Sequence, residues 1–344
     1  MKVLIVNAMV PYVWGGAEEL ASHLQKNIII AGHEAEILRI PFQWDPATRI
    51  PSQMLMASSF QLENVDLVIG LKFPAYLIQH PKKTLWILHQ FRQAYDMYDA
   101  GHTHLNNGKQ EEDIHKLIIH ADNACFEESR NIFTISDVTR DRLAKYNHVE
   151  AEVLRHPLND PELFPGGKSE GYIFAGGRIN NIKRQHLLLE AMAQIPSPPR
   201  LIIAGPPDSP EDALRLERLV EKFGLKDSVK LDLRFMPRQE YADYINGASA
   251  VAYIPFDEDS LGYVTMEAAT AGKPILTTTD SGGVLSLVKH LETGWVSEPT
   301  PLSIADTLSK ISASGELSEM GQCARDLILS MELNWPKTVE TLLR

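Results

Sequence analysis

The feature that most constrains this chain is a pattern that runs twice along it. Short apolar, β-branched runs alternate with longer stretches of helical periodicity. Val3 to Val6 is a run of four apolar residues, and Glu18 to Ala31 carries apolar residues at helical spacing as far as Gly32, a C-cap residue. Strand signals return at Glu36–Ile40, Val65–Ile69, Thr84–Leu88 and Asn131–Ile135. Runs this short and this apolar read as buried parallel strands, and their alternation with helices predicts a doubly wound α/β sheet. The pattern then breaks at His156–Gly167, rich in Pro, Gly and Asn, which reads as an interdomain linker. It resumes with strands at Tyr172–Ala175, Arg200–Ala204, Val229–Leu231, Ala250–Ile254 and Pro274–Thr277. Helices are expected between them at His186–Gln194, Pro210–Phe223, Arg238–Asn246 and Thr265–Ala271. Gln93–Glu128 is polar and without clear period, and reads as loops over a site.

A length of 344 residues fits two such domains rather than one core. Ligands of open α/β sheets bind at the carboxyl ends of the strands, so two domains in series predict two ligands, as group transfer needs. A net charge of -12 argues against general nucleic-acid binding and lends no support to an anionic membrane surface. The two cysteines, Cys125 and Cys323, are far apart and in no metal or redox spacing, which fits a reducing cytoplasm. The opening residues read as a strand and loop rather than a signal peptide, and no stretch approaches the roughly 18–20 apolar residues of a membrane span.

Three strand-to-helix junctions carry candidate chemistry. Gly15-Gly16-Ala17-Glu18-Glu19 opens the first helix, where glycines admit a close backbone approach and free N–H groups suit an anion. A tight turn without a ligand fits the same residues, and the full dinucleotide signature is absent. Gly177-Arg178 with Lys183 and Arg184 sets cations on one loop of the second domain, suited to a diphosphate or to a solvated basic turn. For Arg184 a merely exposed position is the alternative. The third junction runs from Phe256 to Pro274 and includes Asp259, Ser260, Leu261, Gly262, Tyr263 and Glu267. Asp259 on the loop and Glu267 on the helix are both placed to accept hydrogen bonds from vicinal hydroxyls, or to serve as helix-end and paired surface charges. His89 closes the fourth strand signal, as a site residue or a structural loop histidine; His102, His104 and His115 read as surface histidines.

These strings resemble the family 4 retaining glycosyltransferases, whose GT-B fold has two Rossmann-like domains facing across a cleft. The likeness rests on the G-R-x4-K element at Gly177–Lys183, the paired-acid element at Asp259–Glu267 with its tail to Pro274, and Asp280–Gly283. Gly15–Glu18, Ile135–Arg140, Leu158–Pro165 and Leu333–Trp335 extend it along nearly the whole chain. One departure is Asp259, where the family usually has Glu; neighbouring Glu258 is one residue out of register.

The resemblance implies an N-terminal acceptor domain over 1–158, completed by a C-terminal helix at 333–344, and a donor domain over 159–332. It implies that Arg178 and Lys183 hold the donor diphosphate, that Glu267 binds the ribose, and that Asp259 and the Ser260–Tyr263 amides contact the donor sugar. It puts Gly16 near the phosphates, the base near Arg234 and Phe235, and His89 at the donor sugar or acceptor. The implied reaction is hexose transfer from a nucleotide-sugar, with UDP-sugar the expected donor, to a glycan or lipid-linked acceptor in polysaccharide synthesis. No metal and no cofactor beyond the nucleotide-sugar substrate are expected, nor is a nucleic-acid partner, and nothing in the sequence supports membrane association. A nucleotide-sugar epimerase on the same fold and a non-catalytic sugar-nucleotide-binding protein are the alternatives.

Overall fold

The structure is a computed structural model that describes residues 1–314 and 317–344. The chain folds into two compact units, Met1–Pro157 with Leu333–Arg344, and Leu158–Glu332. Each is built on one parallel six-stranded sheet.

The first unit contains β1 (Lys2–Met9), β2 (Glu34–Pro41), β3 (Leu67–Lys72), β4 (Lys83–His89), β5 (Asn131–Thr134) and β6 (Glu152–Val153), in the order β2-β1-β3-β4-β5-β6. Alternate residues of one strand enter different cores. Leu85 and Ile87 of β4 join Val6 and Val68 on one face. Trp86 and Leu88 join Val3, Ile5 and Ile69 on the other. Both faces are therefore apolar, which is why these strands read as continuous hydrophobic runs.

The last helix, Trp335–Leu343, completes this second face with Val339 and Leu342. Asn334 caps it by accepting from the Lys337 N–H at 3.0 Å. The Trp335 ring meets Trp86 edge-on at 6.4 Å and stacks near His23 at 6.3 Å.

The second unit contains β7 (Tyr172–Gly176), β8 (Arg200–Ala204), β9 (Val229–Asp232), β10 (Ala250–Ala252), β11 (Ile275–Thr278) and β12 (Gly294–Ser297), in the order β12-β11-β10-β7-β8-β9. β6 and β12 escape sequence reading. The first has two residues, and the second begins with a glycine, which weakens a strand signal.

One sequence expectation is corrected. Gln93–Glu128 is not a set of loops, because Lys109–Glu128 is a twenty-residue helix. Its buried residues Ile114, Ile118, Asp122, Cys125 and Phe126 follow helical spacing, but a polar residue in their midst hides the stripe. That residue, Asp122, accepts from the Tyr76 and Tyr95 hydroxyls at 2.9 and 2.7 Å. Burial pushes its carboxyl up to about 7, against the opposing pull of those two hydrogen bonds.

The boundary between the units falls inside His156–Gly167, and from Leu158 onward that segment belongs to the second unit. Phe164 is fully buried there, and Asn246 bonds both Leu163 O (2.8 Å) and the Gly166 N–H (3.1 Å).

Because Leu342 has no exposed surface, Leu342→Ala should destabilise the first unit by about 2–5 kcal/mol in urea unfolding. A loss below about 1 kcal/mol would mean that the terminal helix contributes little to that core.

Candidate functional site

In the second unit the chain leaves β7 toward β8 and β9 on one side, then returns to build β10, β11 and β12 on the other. The strand order therefore reverses between β7 and β10. Open α/β sheets bind ligands outside the carboxyl ends of the strands at such a point. The loops leaving β7 and β10 carry the two richest motifs of the sequence.

The β7 loop is folded by backbone contacts to the β8 loop. Ile179 N–H donates to Pro206 O at 2.9 Å, and Asp208 N–H returns a bond to Ile179 O at 3.0 Å. Gly177 takes φ +100°, and Gly205, at φ +145°, lies so close to the Gly177 carbonyl that a Cβ has no room. On this loop Arg178 Nε and Nη2 donate to the two oxygens of Asp208, each at 2.7 Å. Asn180 accepts from the Lys183 N–H at 2.9 Å and turns the chain back toward the sheet.

The Lys183 ammonium lies between the Tyr253 hydroxyl, at 2.8 Å, and the Glu258 carboxylate. Tyr253 also donates to Glu258, at 3.0 Å. Burial alone would lower the Lys183 pKa, but the adjacent Glu258 charge and the Tyr253 hydroxyl raise it well above the usual lysine value. Glu258, out of register for a sugar contact, is thus the counter-charge of the lysine.

The merely exposed alternative does not hold for Arg184. The residue is largely buried at φ +56° and bonds Ile254 O, Pro255 O, Thr278 and both oxygens of Asp280. It ties together the ends of β10 and β11. Asp280 is held below the usual carboxylate range although burial opposes this, because Arg184 and Thr278 bond its ionised form.

The β10 loop is laced to its neighbours on both sides. Phe256 N–H donates to Ile182 O, Asp257 N–H to Asp280 O and Gly283 N–H to Glu258 O, each at 2.8 Å. Asp259 and Ser260 follow, partly buried, and Leu261 is an apolar anchor. Gly262 at φ +75° opens the helix Tyr263–Thr270, and a Cβ there would lie 2.7 Å from the Tyr253 ring. The Tyr263 hydroxyl accepts from Asn159 at 3.4 Å.

Glu267, on that helix, is 2% exposed and receives Arg238 Nη1 at 2.5 Å. The guanidinium lies over Phe164, 4.9 Å from the ring centroid. Sequence reasoning missed Arg238, yet a signal was present. It is the first residue of the helix Arg238–Gly247, where the helix dipole disfavours a cation, so it calls for a carboxylate partner.

The structure thus gathers Gly177, Arg178, Lys183, Asp259, Ser260, Leu261, Gly262, Tyr263 and Glu267 on loops joined by direct bonds. Arg234 and Phe235 lie on the loop after β9. There Arg234 pairs with Asp232 at 2.8 Å and with Glu240, and Phe235 is 73% exposed.

Gly15, Gly16 and His89 belong to the first unit. Gly15 caps the helix Gly16–Ile30, and its N–H donates to Glu18 at 3.1 Å. Glu18 also receives Asn7 at 3.5 Å and faces Lys72 at 3.9 Å, so the chain's own carboxylate sits at this helix N-terminus. His89 ends β4 with Nδ1 2.7 Å from Gln90 O.

Known proteins share part of this sequence and this architecture. Residues 163–325, most of the second unit, match the family described as glycosyl transferases group 1. The match covers just under half of the chain. D-inositol 3-phosphate glycosyltransferase of Xylanimonas cellulosilytica is 27% identical over 173 residues, 50% of this chain and 40% of that protein. The Mycolicibacterium smegmatis protein of the same name is 24% identical over 235 residues, 63% and 52% respectively. The chain spans about half the length of these curated relatives, or less.

Among solved structures, sucrose-phosphate synthase from Thermosynechococcus elongatus has a TM-score of 0.77 at 16% identity, covering 99% of this chain and 96% of that one. Anabaena Alr3699/HepE in complex with UDP-glucose has a TM-score of 0.72 at 16% identity, covering 100% and 98%. WaaG, a glycosyltransferase involved in lipopolysaccharide biosynthesis, also has 0.72 at 16%, covering 99% of each chain. At such identities the likeness establishes the fold, which is GT-B.

Removing Arg238 strands a buried carboxylate. Arg238→Met should therefore cost about 2 kcal/mol or more in urea unfolding, and adding Glu267→Gln should restore part of that loss. Simple additivity of the two changes would show that the pair is not coupled.

Proposed function

We propose that the chain transfers a hexose unit from a nucleotide-sugar, with UDP as the carrier, to a glycan or lipid-linked acceptor. In this reading the anomeric configuration is retained, no metal or added cofactor takes part, and the work belongs to polysaccharide synthesis in the cytoplasm. The observation that carries it is that the loop bearing Arg178 and Lys183 is bonded side by side with the loop that runs into Asp259–Glu267, at the β7/β10 reversal and inside the stretch that matches group 1 glycosyl transferases. Support for the uridine carrier comes from HepE, whose structures are described with UDP and UDP-glucose. Among the described residues no helix is long and apolar enough to cross a membrane.

Each residue has a definite task in this reaction. The bond between the anomeric carbon and the diphosphate oxygen breaks, and the acceptor oxygen takes its place on the same face. Negative charge collects on the departing diphosphate, where preformed donors stabilise it most as it develops. Arg178 and the Lys183 ammonium supply those donors, and a leaving-group oxygen takes the acceptor proton. Glu267 accepts from the ribose hydroxyls, while Asp259 and the amides of Ser260–Tyr263 hold the sugar. The roles expected of Gly15, Gly16 and His89 in the first unit are part of the same proposal. The names of the curated relatives favour a second acceptor class, a polyol phosphate.

A ligand that binds only the folded state adds about 2.7 kcal/mol of stability at a hundred times its Kd. A UDP-sugar should therefore raise the melting temperature of the wild type and fail to raise that of Arg178→Ala. NMR of the product should then show a retained anomeric centre. If no nucleotide-sugar shifts the melting temperature, the donor reading falls; an inverted linkage overturns the mechanism alone.

A further inference from the structure

We propose that Asp208 is a positioning residue that aims Arg178 at the donor diphosphate. This rests on the donor-site reading above and adds a residue from a loop that none of the sequence motifs touches. A guanidinium has five N–H donors in one plane. Asp208 takes the Nε/Nη2 edge with both oxygens, each at 2.7 Å. Nη1 makes no hydrogen bond among the described residues, so its two donors remain for an anion. A two-point fork fixes the plane of the group as well as its position.

Asp208 is itself held in place. Its Oδ2 accepts from Asn180 Nδ2 at 2.9 Å, and its backbone N–H donates to Ile179 O at 3.0 Å. A parallel bridge joins Ile179 to Pro207, the residue before it. The closely packed Gly177 and Gly205 backbones allow the two loops to meet here. The result is a closed circuit in which Arg178, Ile179 and Asn180 of one loop grip Asp208 of the other. Arg178 is 39% exposed on its side chain, and a long side chain with that much freedom loses rotamers when it binds an anion unless it is already oriented.

The sign of the effect separates positioning from competition. Removing a nearby negative charge should, by Coulomb's law alone, strengthen anion binding. If Asp208 competes with the diphosphate for Arg178, its neutralisation has the same effect. If Asp208 aims Arg178, neutralisation weakens binding. Asp208→Asn keeps the side-chain shape but replaces one acceptor oxygen with an N–H₂ group, which breaks the fork.

The experiment is a double-mutant cycle read by titration calorimetry with UDP as the probe, on wild type, Asp208→Asn, Arg178→Ala and the double variant. Asp208→Asn should weaken UDP binding by about tenfold. The ligand-free melting temperature should stay unchanged, and the same substitution should have no further effect once Arg178 is gone. Equal or tighter binding by Asp208→Asn overturns the proposal, as does an undiminished effect in the Arg178→Ala background. If the wild type binds no UDP, the donor-site reading fails and this proposal with it. If the wild type binds and only the Asp208 prediction fails, the donor-site reading stands.

Discussion

A lysine ammonium at the edge of a buried sheet must be matched by charge, and the Lys183–Glu258 contact meets that need. The two residues come from different loops, so the pair forms only if the β7 and β10 loops lie side by side. The backbone bond from Phe256 to Ile182 holds them there. Tyr253 closes the triangle by bonding both charges, and Gly262 leaves room for its ring. Arg184 secures the outer end through Asp280 and three further acceptors. The geometry of the candidate site is therefore a consequence of satisfying these buried charges.

The same logic explains what sequence could and could not disclose. Strand-to-helix junctions announce themselves through local residues, such as the glycines and cations at Gly177–Lys183 and the acid-bearing loop before Glu267. Their placement on one end of one sheet follows from the β-α alternation, so most of the residues of the candidate site were legible. The partners were not. Asp208, Glu258, Tyr253 and Arg238 matter because of what they meet from distant segments, and no local period records such a meeting. Arg184 shows the hazard of the opposite inference, since a cation beside another cation in sequence reads as solvated. Its left-handed backbone instead turns it inward onto Asp280.

The fold shows the same division. Among the described residues, ten of the twelve strands lie in runs apolar enough to recognise, and the helix after β1 carries its period openly. Lys109–Glu128 does not, because the residue that completes its buried face is Asp122, a carboxyl paired with two tyrosines. A polar residue in a buried stripe breaks the hydrophobic period without breaking the helix, and only the structure reveals the hydroxyls that satisfy it. The segment at the unit boundary hides its packing for the converse reason. Its prolines and glycines mark turns, and turns can be packed as firmly as helices when a residue such as Phe164 is buried among them.

Charge pairing also bears on how a chain of net charge -12 would hold a diphosphate. Arg178, Lys183, Arg184 and Arg238 each face a carboxylate, so the site carries little excess positive charge. Attraction at long range would then be weak, and salt would screen what there is within about 10 Å. Recognition in the proposed reaction must instead come from donors already aimed, namely the open Nη1 of Arg178 and the amides at the start of Tyr263–Thr270. Such donors act at hydrogen-bond distance and in a fixed direction. They favour a diphosphate over other anions by the match of its oxygens to their positions, and the carboxylates that neutralise the cations are also what hold them in those positions.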